Sequence, residues 1–505
     1  MTFSPGRLSV PKAMSTQHPD NARLPAFAKG PEAIKGEDEI VEADYAFSVL
    51  GCDEQMWDYE GKGADIDVVM KLLITNPDFF RAHQLGRDVF LTLRIPNPTV
   101  EQGMRKRAEE ALHNIPTSYD LAREFYEDRT TPPVFEVILP MTTSAEDPLW
   151  VYRYYQEVVA GMGGRELVLG KRLEQWLGET LPKVIQVIPL IEDIVSLSHI
   201  DVLVGQYVQY LKEIGQSPSS LRVFLARSDP ALNYGLLSAA LLNKMALQRL
   251  ATLQQTSGVT FYPIIGVGGV PFRGNLRPGF VDSVLEEYPS VQTFTVQSSF
   301  KFDHEPETVR REVRKLLEHQ PSSPLPIDEP RAKDLVQRYT ACYQQHVERL
   351  APLVNALAPI IPQRRDRRLH IGLYGYSRAL GKPDNHAEVQ LPRAITFCAA
   401  LYSIGVPPEL MALESLTRED LAFLREVYPH FQDDVAAAGI YASETAVKAY
   451  LGSTAWNAAK PYIRETNREH QGLATLICDR MEVGYGIQRT KQLAVWAAET
   501  RGFLG

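Results

Sequence analysis

Short apolar runs recur along the chain, and most of them end in a charged residue or a glycine-rich turn. Val259–Ile265 is one such run, and the segment that follows it, Gly266–Asn275, carries glycines at 266, 268, 269 and 274 with Arg273 among them. A run of this length bounded by glycine predicts a buried strand. Similar runs at Asp88–Pro96, Pro133–Pro140, Lys183–Leu190, Leu221–Ala226 and Val291–Val296 predict further strands. From residue 134 onward the strand starts fall near 134, 184, 221, 259 and 291, and each interval of 32 to 50 residues has room for a helix. Helical periodicity fills several of the gaps, at 100–128, 199–213 and 231–254. This is the βα rhythm of a parallel sheet. With strands near 12 and at His370–Gly375 the count reaches eight, which predicts a closed (β/α)8 TIM-type barrel with strands drawn from roughly 10–378. An open doubly wound sheet is the alternative. Residues 32–88 mix helical pattern with an irregular stretch, Trp57–Asp65, that reads as a ligand loop or a connector. Residues 305–357 and 386–505 are mainly helical in pattern and predict many additional helices packed on the barrel, within one large domain spanning 1–505.

Composition narrows the class. A 505-residue chain with 44% hydrophobic residues suits a large soluble core, and a net charge of −9 argues against a nucleic-acid surface, so an anionic substrate needs a local basic pocket. The cysteines at 52, 342, 398 and 478 form no CxxC pair, and reduced thiols of a cytoplasmic protein are expected. The N-terminus has no apolar signal core, and Ala394–Val406, the most apolar late stretch, is too short to span a bilayer.

Candidate chemistry lies just past the strands: His18, Arg94, Thr142, Glu192, Asp229, Arg273, Gln297 and Arg378. In a barrel these positions share one bowl at the C-terminal face. Each has a plain structural alternative. Asp229 or Ser228 reads as a cap for the helix that begins near Pro230, Arg94 as the partner of a protein carboxylate, Arg273 as a solvated turn residue, and His18 as an exposed ring. Taken jointly, two carboxylates (Glu192, Asp229) offer oxygen ligands for a hard cation, Mg²⁺ or Mn²⁺. The arginines suit a phosphate and a carboxylate, and a histidine can move a proton. The pattern favours a metal-dependent enzyme acting on a small anionic phosphate or keto acid. Another metal-dependent barrel enzyme of such a substrate, such as an aldolase or kinase, is the alternative, as is a non-catalytic metabolite sensor. No Walker-type nucleotide loop is found.

Five segments carry a resemblance: MSTQHPDN at 14–21, PLIED at 189–193, ARSDPALNYG at 226–235, GVGGVPFRG at 266–274 and GYSRALGK at 375–382. In order and over nearly the whole chain they resemble archaeal-type (short-form) phosphoenolpyruvate carboxylase. The resemblance implies a barrel enzyme, usually a homotetramer, that joins phosphoenolpyruvate and bicarbonate into oxaloacetate and phosphate with Mg²⁺ or Mn²⁺, through carboxyphosphate and a metal-stabilised enolate. It implies Glu192 and Asp229 as metal ligands and His18 as the histidine that handles carboxyphosphate. Arg273, Arg94 and Arg378 take catalytic roles, and Arg393, Gly268, Gly269, Gln297 and Lys62 substrate-side ones. Two positions depart from the long-form pattern: Val267 replaces a loop arginine and Leu232 a lysine, with Lys62 and Lys301 as candidates to supply the missing charge.

Overall fold

A computed structural model describes residues 9–60, 63–128, 130–365, 390–483 and 487–505. Eight parallel strands close into a barrel: β1 Ala13–Ser15, β2 Glu54–Asp58, β3 Phe90–Arg94, β4 Glu136–Leu139, β7 Gln186–Ile191, β8 Ser220–Ala226, β9 Thr260–Gly266 and β10 Thr293–Val296. A small exposed hairpin, β5 Glu166–Val168 with β6 Lys171–Arg172, interrupts the series between β4 and β7. Spatial order follows chain order, and β1 pairs with both β2 and β10, which closes the ring and leaves no sheet edge.

Seven of the expected strands are present within a few residues of their predicted positions. The eighth is a correction. The barrel is completed by β2, Glu54–Asp58, in the stretch read as helical or irregular, and its eight strands all lie between Ala13 and Val296. His370–Gly375 lies outside the described residues. The reason β2 escapes a hydropathy reading is its composition: in EQMWD, three of five side chains are polar, yet all five residues are buried.

Strand side chains alternate between the barrel lumen and the surrounding helices. Lumen positions are layered. Nearest the N-terminal end, Arg222 donates to Glu54 Oε1 and Oε2, both at 2.7 Å, to Glu136 Oε2 at 2.9 Å and to Thr293 Oγ1 at 3.1 Å, while Thr92 Oγ1 donates to Glu54 Oε1. Above lies an apolar layer of Met14, Met56, Ile138, Ile188, Phe224 and Ile264. Asp58 and Arg94 stand at the C-terminal mouth of the same strands. The outward residues, such as Trp57, Leu93, Val137 and Leu225, join the main core with the helices.

That core takes in the C-terminal half of the chain. Helices Pro306–Glu318 and Glu329–Leu357 match the expected helical region, and from Ala394 the described chain is helical to Arg501 apart from turns. Ala394–Ser403 is a core helix whose residues are almost all buried, and no single described helix is long and apolar enough to cross a membrane. The expected helix 231–254 is two, Ser228–Tyr234 and Leu236–Ser257, broken at Gly235. Gly235 has φ 87°, and a Cβ there would sit 2.6 Å from the Tyr339 ring, so the break needs glycine on both counts.

Candidate active site

The strand exits converge on one cleft of about 110 Å³, lined by His18, Glu60, Arg94, Glu192, Asp229 and Arg273 from the barrel side and closed by Leu391–Ile395. Six residues anticipated for the site therefore meet: His18, Arg94, Glu192, Asp229, Arg273 and Arg393.

Arg94 closes β3 among carboxylates. Its Nε and Nη2 pair bidentately with Asp58 at 2.9 and 2.6 Å, and Nη2 lies 3.1 Å from Glu60. Burial opposes its charge, but Asp58, Glu60 and then Glu192 outweigh that and hold the guanidinium firmly protonated. The protein-carboxylate alternative for Arg94 is thus realised, while the residue still faces the cleft. Glu101, behind Glu60, is pushed up to about 8 by burial and by the Glu60 charge.

Glu192 follows β7, and its Oε2 accepts the Met141 backbone N–H at 2.8 Å. Met141 has a left-handed φ of 52°, unusual for a residue with a Cβ, and the turn is held by Asn97 Nδ2 donating to Pro140 O at 2.9 Å and to Met141 O at 3.3 Å. The neighbouring Asp193 does not enter the cleft: it caps helix Ile194–Ser198 by accepting from Val195 and Ser196 N–H, each at 2.9 Å. Asp229 behaves in the opposite way. The helix begins at Ser228 with Arg227 at its N-terminal cap position and no side-chain cap hydrogen bond, and Asp229 in the first turn lines the cleft. The capping reading of Asp229 and Ser228 is corrected accordingly.

Arg273 is 1% exposed and fully held. Nε donates to Ser228 Oγ at 3.0 Å, Nη2 to Gln297 Oε1 at 2.6 Å and Nη1 to the Gly505 carbonyl oxygen at 2.7 Å, with Asp20 Oδ2 3.5 Å from Nη1. Asp20 is itself fixed by Ser299 N–H and Oγ, both at 3.0 Å. The C-terminal residues fold back onto this pair, with Leu504 N–H donating to Asp20 O at 2.8 Å. Gly268, Gly269 and Gln297 therefore stand behind Arg273 and do not line the cleft. A Cβ on Gly268 would lie 2.9 Å from Arg273 Cζ, and one on Gly269 2.4 Å from Ser299 Oγ.

His18 is half-buried with Nδ1 2.8 Å from Thr16 Oγ1, and the run before it is tied to β2 by Gln17 Oε1 accepting Asp58 N–H at 3.1 Å. Arg393 sits at the N-terminal cap position of Ala394–Ser403, exposed at the cleft rim. Thr142 is buried and donates to Leu139 O. Lys62 and Arg378 lie outside the described residues. Lys301 is no substitute for a cleft lysine: it is fully buried and donates to Ser15 Oγ at 3.0 Å, Thr16 O at 2.9 Å and Glu42 Oε1 at 2.7 Å. It thereby anchors the exit of β1. Leu232 lines the cleft, and Val267 is core.

Sequence reasoning missed Asp58, Glu60, Asp20 and Glu409. Glu409 is buried and accepts Phe272 N–H at 2.7 Å and Tyr402 O–H at 2.8 Å, which fixes the backbone just before Arg273. A signal existed for three of them, since Trp57–Asp65 contains Asp58 and Glu60 and MSTQHPDN contains Asp20.

The chain resembles known proteins over almost all of its length. The sequence model of the family described as phosphoenolpyruvate carboxylase matches residues 10–505. Curated proteins named phosphoenolpyruvate carboxylase match from Methanothermobacter thermautotrophicus (45% identical over 99% of this chain and 100% of that protein), Methanospirillum hungatei (44%, 99% and 100%) and Pyrococcus abyssi (45%, 98% and 100%). A closed barrel whose mouth gathers four of the five segments that carried the resemblance, matched end to end at these identities, places the chain in the phosphoenolpyruvate carboxylase family, in its archaeal-type form.

Proposed function

We propose that the chain carboxylates phosphoenolpyruvate with bicarbonate, giving oxaloacetate and phosphate, at the C-terminal mouth of the barrel. The observation that carries this reading is the meeting of His18, Arg94, Glu192, Asp229, Arg273 and Arg393 in one cleft, from separate strand exits, in a chain of this family.

Glu192 and Asp229 present only oxygen donors from adjacent strand exits, which fits a hard divalent cation, Mg²⁺ or Mn²⁺. When bound, such an ion supplies positive charge to the oxygen anion that develops as phosphorus departs. The chain's own residues do the rest. Arg273, locked by four partners, presents a fixed cation that needs no reorganisation when charge develops on the transferring phosphoryl group. Arg393 at the rim meets the substrate's anionic end, and Arg378 is assigned to the same task. A bicarbonate oxygen forms a bond to phosphorus while the bond from phosphorus to the enol oxygen breaks, its electron pair staying on that oxygen. His18 takes the carboxyl proton of carboxyphosphate, whose breakdown yields CO2 and phosphate, and the enolate carbon captures the CO2. The walls Leu232, Leu391, Pro392 and Ile395 limit the water that would quench either intermediate.

The same reading includes a homotetramer of single-domain subunits in the cytoplasm. Exposed Trp150, Leu169 and Trp176 offer apolar surface of the kind subunits cover, and all four cysteines are free. The test is a coupled assay with phosphoenolpyruvate, bicarbonate and Mg²⁺, following oxaloacetate through malate dehydrogenase. Activity without nucleotide is expected, and it should nearly vanish in Glu192→Ala and Asp229→Ala while circular dichroism is unchanged. Full activity in both variants would refute the assignment of the carboxylates.

A further inference from the structure

Helix Glu329–Leu357 carries Cys342 and His346 four residues apart on one face, and the turn Leu413–Ser415 brings Glu414 against both. His346 Nε2 is 2.8 Å from Glu414 Oε1, Cys342 Sγ is 3.7 Å from the same oxygen, and one donor atom from each residue lies within 4.8 Å of the others. An ordinary histidine–glutamate pair would explain part of this. It leaves the second Glu414 oxygen buried with no hydrogen-bond partner among the described residues, beside a His346 that is only 3% exposed. Three donors of three kinds, held by one long helix and one short turn, form an open three-ligand site of the sort a zinc-class ion takes, with water able to complete it at the half-buried Cys342 edge.

We propose that Cys342, His346 and Glu414 bind one borderline-soft divalent cation of the zinc class, at a site separate from the cleft carboxylates. Sulfur and imidazole disfavour Mg²⁺, so the two sites select different ions. Binding requires the thiolate. Coordination therefore sends the thiol proton to solvent, while the imidazole proton moves from Nε2 to Nδ1 and frees Nε2 to ligate. None of the three residues lines the cleft. Their role is to fasten the helix whose Tyr343 O–H donates to Leu232 O at 2.9 Å and whose Tyr339 O–H donates to Met411 O at 3.0 Å. Leu232 belongs to the helix that bears Asp229, so the ion braces the cleft from behind.

The test uses the full-length protein, untagged and stripped with a chelator, titrated with Co²⁺ as the zinc analogue in excess Mg²⁺. One equivalent should bind with the near-ultraviolet charge-transfer band of thiolate-bound cobalt, and one equivalent of Zn²⁺ should erase it. Cys342→Ser should lose the band, and Glu192→Ala should keep it. A second readout needs no variant: Zn²⁺ should slow alkylation of Cys342, mapped by mass spectrometry, at least tenfold. Absence of the band, its survival in Cys342→Ser, or unchanged alkylation of Cys342 would each overturn the site.

Discussion

At the scale of single residues, two side chains have consequences that can be separated from each other. His18 acts after phosphoryl transfer in the proposed sequence, so His18→Asn should still release phosphate but deliver pyruvate, as the uncaptured enolate takes a proton. Lactate dehydrogenase coupling should then register product that malate dehydrogenase coupling does not, and a normal oxaloacetate yield would remove His18 from carboxyphosphate handling. Glu409 acts on stability. Burial lifts its carboxyl from 4.5 to about 7, opposed by the hydrogen bonds from Tyr402 and Phe272. A carboxyl raised in the folded state contributes stability that is fully present below its unfolded pKa and is lost as pH rises through the folded one. The window is therefore roughly pH 4.5 to 7, and the shift corresponds to on the order of 3 kcal/mol across it. Glu409→Gln keeps an acceptor for Phe272 N–H and Tyr402 O–H but cannot ionise. Its thermal midpoint should exceed the parent's at pH 8 and match it near pH 4.5; identical pH profiles would show that Glu409 does not titrate in this range.

At the scale of elements, the loop after β9 illustrates how a turn is built around one side chain. Gly268 is not in the left-handed region, so its requirement is one of contact: an added methyl would meet Arg273 Cζ at 2.9 Å and Gln297 Oε1 at 3.1 Å. Gly268→Ala should displace the guanidinium and cut kcat/KM by roughly 100-fold, as expected of a misplacement of about 1 Å at a reacting group, with the melting temperature little changed. Gly164→Ala, where the methyl meets nothing within 4 Å, serves as the control. Equal activity in the two variants would mean that the loop yields. The same elements show what was legible beforehand. Strands such as Leu221–Ala226 announced themselves because their outward faces are apolar and their inward faces partly so, and their exits could then be lined up to find His18, Glu192, Asp229 and Arg273. β2 could not be found that way, since its inward residues Glu54 and Asp58 are paired with Arg222 and Arg94 from other strands. Gln297 and Gly268, expected in the bowl, stand one layer behind it against Arg273. Hydropathy shows where a strand ends, and it does not show which exit residues touch substrate and which hold those that do. Lys301 failed as a cleft lysine for a related reason: its partner Glu42 lies in a helix whose packing no local pattern specifies.

At the scale of the whole molecule, the barrel is fastened across its lumen by a charge that hydropathy would place outside. Arg222 on β8 reaches Glu54 on β2, Glu136 on β4 and Thr293 on β10, so one guanidinium joins four strands drawn from all round the ring. All of these groups are buried, and burial opposes the arginine's charge before Glu54 and Glu136 restore it. The Coulomb gain of such a cluster is largely offset by desolvation, so it adds little net stability over an apolar layer of equal volume. What it does impose is a penalty on any incomplete version, because a single neutralised partner strands the opposite charge in a dry interior. Arg222→Met should therefore destabilise the fold by roughly 3–5 kcal/mol, leaving two buried carboxylates without a cation. Replacing the cluster as a unit, Glu54→Leu, Glu136→Leu and Arg222→Met together, should recover most of that loss, since no charge then remains to be desolvated. A chain of this size is best compared by thermal midpoint at a fixed scan rate. If the triple variant is no more stable than the single one, the layer is a true source of net stability and the desolvation argument fails for this barrel. If it recovers, the cluster's role is to fix which strands meet across the lumen, and hence that the exits carrying Arg94, Asp229 and the loop to Arg273 face one another at the mouth.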